Sequence, residues 1–241
     1  MFRKLVSLVS LPFKSLVDLA APKLCEVCGE VSLPGSGNSA FLCDSCLAKV
    51  PYAASPNEIE NAVMSGFKED EFAVTRLTAL FTAEEDNRYM QLIYSLKYSG
   101  FMKLGAELGE MLGKRLINDG FSGYDALIPI PVHHARRRER GFNQSEIIAL
   151  GVSKITGDSV RTDLVSRKKY TQTQTRLGSS DRKVNVADAF VEGKHGRDIK
   201  GGKFLLIDDV LTTGSTMNAC AEALLQAGAR QVDAAAVAVP K

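Results

Sequence analysis

Apolar positions along this chain alternate between two periods. Phe204-Leu205-Leu206-Ile207 is an unbroken apolar run, the mark of a short strand buried on both faces of a parallel sheet. Asp208 and Asp209 follow where it ends, and then Thr212-Thr213-Gly214-Ser215-Thr216. From Ser215 the positions Met217, Cys220, Ala221, Leu224 and Leu225 recur at helical spacing, and Gly228 stops the helix. Residues 74–81 have strand character, and 87–98 carries Met90, Ile93, Tyr94 and Lys97 at helical offsets. Leu104, Leu108, Met111, Leu112 and Leu116 make 103–118 an amphipathic helix. Residues 125–130 read as a second buried strand, 160–165 as a third and 232–239 as the last. Strands alternating with helices predict an α/β fold, a parallel sheet flanked by helices and joined by right-handed crossovers. Ligands of such sheets bind beyond the carboxyl ends of the strands.

Three stretches break the alternation. Residues 1–22 are apolar but interrupted by Lys4, Pro12, Lys14 and Asp18. They predict an amphipathic segment lying on the protein, with no stable membrane insertion and no secretory signal. Residues 51–56 read as a linker between a small module at 23–50 and a large domain at 57–241. Residues 167–183 are polar and basic with no periodicity, which in a compact domain predicts a lid or binding segment over 171–182.

Charge sharpens the picture more than composition does. The 241 residues are 45% hydrophobic, enough for a substantial core, and the net charge is only +2. Between residues 131 and 183, however, there are twelve Lys/Arg and five Asp/Glu, so a basic surface faces an anion.

Chemistry concentrates in two stretches that end strands. After residue 207, a turn into a helix N-terminus gathers free backbone N–H groups and the positive end of the helix dipole at one spot, which suits a phosphate. Gly214 permits positive φ and close approach, and Thr212, Thr213, Ser215 and Thr216 add hydroxyl donors. Asp208 and Asp209 stand ready to accept hydrogen bonds from a diol beside that phosphate. A sugar 5-phosphate with free hydroxyls is the ligand described. A Walker loop is excluded, because Ser215 rather than Lys follows Gly214. Beyond residue 130, Arg136, Arg137, Arg138 and Arg140 precede Gly141, Asn143 and Gln144. Guanidinium forks there suit diphosphate oxygens, whereas a basic solvated loop is the plain alternative.

Cys25-Glu26-Val27-Cys28 and Cys43-Asp44-Ser45-Cys46 are two C-x₂-C knuckles separated by fourteen residues. Four soft ligands favour a tetrahedral Zn²⁺ with no open position, a structural metal. A redox pair or disulfides remain the alternatives on spacing alone. A cytoplasmic location, expected without a secretory signal, weighs against disulfides.

The stretch from 204 to 214 resembles the phosphoribosyl-diphosphate signature of type I phosphoribosyltransferases. The whole pattern resembles the ComF family of competence-associated proteins. Its elements are the four cysteines from Cys25 to Cys46, Leu96-Lys97-Tyr98-Ser99-Gly100, the Arg-rich stretch ending Arg140-Gly141-Phe142-Asn143-Gln144, the Thr-Gln-Thr region at 171–185, and Asp208-Asp209-Val210-Leu211-Thr212-Thr213-Gly214. In one departure, Arg176 stands before Leu177 where the family pattern has Gly. The resemblance implies a type I phosphoribosyltransferase-like domain that binds phosphoribosyl diphosphate with Mg²⁺. It implies that Asp208 and Asp209 act on the ribose and the developing cation, that Thr212 to Thr216 hold the 5-phosphate, and that the arginines and Lys97 face the diphosphate. It also implies a link to DNA uptake, with single-stranded DNA or uptake proteins as partners. A non-catalytic single-stranded-DNA-binding factor is the alternative, against which only Phe142 and Tyr170 are aromatic within the basic stretch.

Overall fold

The computed structural model describes residues 24–31, 39–68, 71–83, 88–98, 100–168 and 189–240. The amphipathic segment expected at 1–22 and the lid expected at 171–182 lie outside them. The chain divides into two compact units, Met1–Val50 and Pro51–Lys241. In the first, Cys43 caps helix α1 (Asp44–Ala48), and Leu24 and Val31 form an antiparallel bridge around the first knuckle.

The second unit runs α2 (Pro56–Met64), β1 (Leu77–Ala83), α3 (Met90–Tyr98), α4 (Met102–Asn118), β2 (Ala126–Pro129), α5 (His134–Arg140) and α6 (Gln144–Thr156). It continues through β3 (Val165–Arg167), β4 (Phe190–Glu192), β5 (Lys203–Val210), α7 (Ser215–Gln226) and β6 (Gln231–Pro240). Four strands form one parallel sheet in the order β1-β6-β5-β2, the α/β architecture that the apolar runs predict. The inner strands are buried throughout their middles, with Phe204 to Ile207 at 0–1% exposure and Ala234 to Ala238 at 0%. Cys220 on α7 is a core residue, and its burial pushes the thiol's pKa upward.

Two expectations fail, for physical reasons. Residues 160–165 do not make a third sheet strand. Val160 bridges Leu127 once, and β3 pairs antiparallel with β4 in a separate two-stranded sheet. Arg161 in that stretch donates to Asp163 Oδ1 at 2.8 Å and to Asp198 Oδ2 at 2.8 Å. Such charges need solvent, which a strand buried on both faces denies them. Residues 51–56 are not a free linker either. Thr82 N–H donates to the Pro51 carbonyl at 2.8 Å and Ala53 N–H to that of Leu80 at 3.1 Å. Ser55 and Glu58 then close a capping box over α2, with Pro56 in its first turn.

What positions the site is the contact between α4 and α6. Gly105, Gly109 and Gly113 form a ridge without side chains on α4, facing Ile147, Ile148, Gly151 and Ile155 of α6. The two backbones approach so closely that a Cβ on Gly109 would lie 2.9 Å from the Gly151 Cα. This fixes the N-terminus of α6 at the carboxyl end of β5. Among the described residues, no helix is long and apolar enough to cross a membrane.

Candidate functional site

Parallel β5 delivers Asp208 and Asp209 to its carboxyl end, and the neighbouring elements treat the two differently. Ser145, 1% exposed at the start of α6, donates its Oγ proton to Asp208 Oδ1 at 2.8 Å. Asp209 N–H donates to the same oxygen at 2.9 Å. Burial and then the Asp209 charge push the Asp208 carboxyl up to about 7, against the lowering pull of those two bonds and of Lys97. Lys97, in the last turn of α3, instead sets its ammonium 3.0 Å from Asp209 Oδ2. The Asp208 carboxyl is half-buried and pushed toward its protonated form; its neighbour is paired with a lysine.

Asn143 makes the α6 terminus rigid. Its Oδ1 accepts from Ser145 N–H at 3.1 Å, and its Nδ2 donates to the Ile130 carbonyl just beyond β2 at 3.0 Å. Gln144, 1% exposed, has a buried Nε2 with no protein partner among the described residues. An orphaned buried donor carries a desolvation penalty of about 1–3 kcal/mol, which a ligand acceptor would relieve.

The loop after β5 turns at Gly214, with φ of 76°, directly into α7. Thr212 and Thr213 are exposed, and the Thr213 and Ser215 hydroxyls are 2.9 Å apart. The structure thus brings Lys97, Asn143, Asp208 and Asp209 together, with the 212–216 loop next along the chain.

The arginines fare differently. Residues 134–140 form a seven-residue helix closed by Gly141 at φ 80°, so successive side chains radiate about 100° apart. Arg137 lies 3.8 Å from Glu146, Arg138 is exposed, and the Arg140 guanidinium sits 5.2 Å above the Tyr98 ring. The Arg136 side chain lies outside the described set. Two partnerships join residues that lie far apart in the sequence. Ser145 touches a residue sixty-three positions away, and Tyr98 stacks with an arginine on another helix. The serine's place directly after the Asn-Gln pair at a helix start is a signal that was available.

In the first unit, the four cysteine sulfurs all lie within 4.8 Å of one another. Zn–S bonds of about 2.3 Å would set tetrahedral sulfurs about 3.8 Å apart, and Cys28 and Cys43 are 3.8 Å apart. Burial raises the Cys25 thiol, but N–H groups from Cys43, Cys28 and Val27 more than offset it and hold it at about 7. The donor set fits zinc.

Residues 140–240 match the model of the phosphoribosyl transferase domain. Competence protein F of Haemophilus influenzae is 32% identical over 108 residues, 45% of this chain and 47% of its own. DNA utilization protein YhgH of Escherichia coli K12 is 31% identical over 150 residues, 58% of this chain and 63% of its own. Competence protein ComFC of Bacillus subtilis is 31% identical over 105 residues, 42% and 39% respectively. The chain therefore spans 39–63% of the length of these relatives.

Proposed function

We propose that this chain, a ComF-family protein built on a phosphoribosyltransferase-like domain, binds phosphoribosyl diphosphate at the carboxyl ends of β2 and β5 and transfers its phosphoribosyl group, in the service of competence or DNA use. The observation that carries this is the carboxyl pair with unlike partners, Ser145 on Asp208 and Lys97 on Asp209, just before a positive-φ glycine and a helix N-terminus.

Each residue then has a task. Thr212, Thr213, Gly214, Ser215 and Thr216 hold the 5-phosphate. Asp208 keeps a proton and donates it to a ribose hydroxyl, while its Oδ1 is fixed by Ser145. Asp209, held by Lys97, faces the positive charge that develops as the bond from the anomeric carbon to diphosphate oxygen lengthens. The bond to the acceptor nucleophile forms as that bond breaks, and diphosphate leaves with its electron pair. Lys97, Gly141, Asn143 and Gln144 lie toward the side where diphosphate departs, and the arginines of α5, which point apart around the helix, supply positive charge to that end of the site. Mg²⁺ brought in with the ligand would be held by the diphosphate oxygens and by Asp208 and Asp209, and would supply charge neutralisation for the leaving group. Calorimetry with phosphoribosyl diphosphate and Mg²⁺ tests the reading: binding in the parent, and diphosphate release on adding an acceptor, are expected. No heat at ligand concentrations far above those of the protein would sink it.

The Asp208 environment also makes a stability prediction. An unfolded Asp titrates near 3.9 and the folded one near 7, so the folded state holds the extra proton between those values. Stability therefore falls as pH rises from about 4 to about 7 and levels off above. Asp208→Asn removes that fall and should raise stability at pH 8 by up to about 4 kcal/mol, a gain of roughly 10 °C in Tm, while harming transfer. Thermal melts at pH 5 and pH 8 check it; a variant with the parent's pH dependence refutes the buried-acid assignment.

For the first unit we propose one structural zinc held by Cys25, Cys28, Cys43 and Cys46. Elemental analysis of protein purified without added metal should give one zinc per chain, and Cys43→Ser should lose it. Folded, metal-free parent protein would count against it. The non-catalytic, single-stranded-DNA-binding reading draws on the exposed Arg137 and Arg138. It predicts an affinity that falls with salt at a logarithmic slope of roughly −0.7 per phosphate contact.

A further inference from the structure

Charge does not account for the corner where α3 ends and α4 begins. Tyr94 and Tyr98 lie four residues apart on one exposed stripe of α3, and Phe101 and Met102 continue it round the turn. Tyr98 is 72% exposed, and Tyr94 and Phe101 are 39% exposed each. One surface tyrosine needs no explanation, but here a guanidinium from another helix lies over the ring, Arg140 on Tyr98 at 5.2 Å. Ring and guanidinium make a flat, positively charged face. Both members are tethered to the carboxyl pair. Lys97, adjacent to Tyr98, holds Asp209, and Ser145, five residues beyond Arg140, holds Asp208. Lys103, Arg137 and Arg138 are exposed nearby along the same elements.

Aromatic rings and guanidinium planes beside a phosphosugar cradle match one chemistry: a planar, electron-rich heterocycle that carries or meets phosphate. An apolar partner would gain nothing from the arginines, and a bare polyanion nothing from the rings. We propose that Tyr98 and Arg140, flanked by Tyr94 and Phe101, form a stacking site for a nucleobase at the edge of the phosphoribosyl site. The reason for a base to come here rests on the function proposed above; the stacking site itself does not. The base can come from a free nucleotide or from a single strand, and stacking is the step common to both.

The chain contains no tryptophan, so Tyr98→Trp creates a reporter whose emission comes from this position alone. Base stacking should quench it. We would titrate it with adenosine monophosphate, with a deoxyadenylate twelve-mer and with an abasic strand of equal charge, at the same phosphate concentrations. Saturable quenching by base-bearing ligands and none by the abasic strand is the expected result. Quenching by the mononucleotide as well identifies a free nucleotide as sufficient, and quenching by the twelve-mer alone identifies the strand. Absence of quenching by any of them, or equal quenching by the abasic strand, overturns the proposal. Tyr98→Ala should weaken the base-bearing ligand about tenfold in anisotropy, in line with ~1–3 kcal/mol per stacked base. Unchanged affinity would also overturn it. Calorimetry of the Tyr98→Trp protein with phosphoribosyl diphosphate keeps the two readings apart. Heat without quenching removes the stacking site alone, and quenching without heat removes the phosphoribosyl reading alone.

Discussion

Gly109→Ala is expected to lower the Tm by on the order of 10 °C, and Gly109→Val to prevent the second unit from folding. A Cβ at Gly109 would run into the Ile148 carbonyl oxygen and lie 2.9 Å from the Gly151 Cα, and one at Gly151 would meet the Ala106 carbonyl. These are backbone atoms, so no rotamer change can make room and the helices must separate. Overpacking typically costs 1–3 kcal/mol where side chains can adjust. Here about 3 kcal/mol or more is expected, well above the ~1 kcal/mol that alanine regains through helix propensity. At roughly 2–4 °C per kcal/mol for a chain of this size, the shift follows. The comparison variant is Gly105→Ala, whose Cβ meets only the Leu96 Cδ1 at 2.8 Å and the Ile147 Cγ2 at 3.0 Å. Those are side-chain ends that can turn aside, so its loss should be much smaller. Equal melting of the two alanine variants by circular dichroism would show that the α4–α6 contact is looser than described. Because the same contact aims Ser145 at Asp208, a surviving Gly109→Ala protein should also lose ligand affinity.

How much of this was legible in the sequence depends on whether a feature is local. The buried strands announce themselves, because residues such as Phe204 to Ile207 have no polar face to offer water. Helix α4 does too, through leucines that recur at one face. The cysteine cluster and the positive-φ Gly214 follow from spacing and residue type. Helix α5 was invisible because His134-Ala135-Arg136-Arg137-Arg138-Glu139-Arg140 has no apolar face, and periodicity reports only amphipathic helices. Helix α2 was missed for a lesser reason: Ser55-Pro56-Asn57-Glu58 holds both a capping box and a first-turn proline, which outweigh the look of a linker.

What no local reading supplies is partnership across the fold. The groups that meet at the carboxyl pair come from α3, α6 and β5, and their contacts depend on how closely α6 packs on α4. The glycine ridge at 105, 109 and 113 is visible in the sequence, yet its meaning appears only once the facing Gly151 is known. Likewise the arginines look like one cluster along the chain, but the helix they form turns them apart, pairing one with Glu146 and another with Tyr98.

Gly214→Val should abolish phosphoribosyl diphosphate binding while leaving most of the sheet intact. At φ of 76° an L-residue is strained by about 1–2 kcal/mol, and a β-branched one by more. The structure adds a second obstacle that residue type did not foretell: a Cβ here would lie 2.7 Å from Val63 Cγ1, with Phe67 and Phe72 at 3.6 Å. Valine thus pushes the loop away from α2 and flips the peptide that opens α7, removing the N–H groups meant for the 5-phosphate. The sheet's own strands do not rely on this turn, so far-ultraviolet circular dichroism should stay close to the parent. If the variant unfolds outright, Thr213→Val carries the test, because it keeps the backbone and the side-chain shape while removing one hydroxyl. A hydrogen bond to a charged group is worth about 1.5–3 kcal/mol, so its affinity should drop tenfold or more. A Gly214→Val protein that binds as tightly as the parent, or a Thr213→Val protein with undiminished affinity, places the phosphate somewhere other than the turn between β5 and α7.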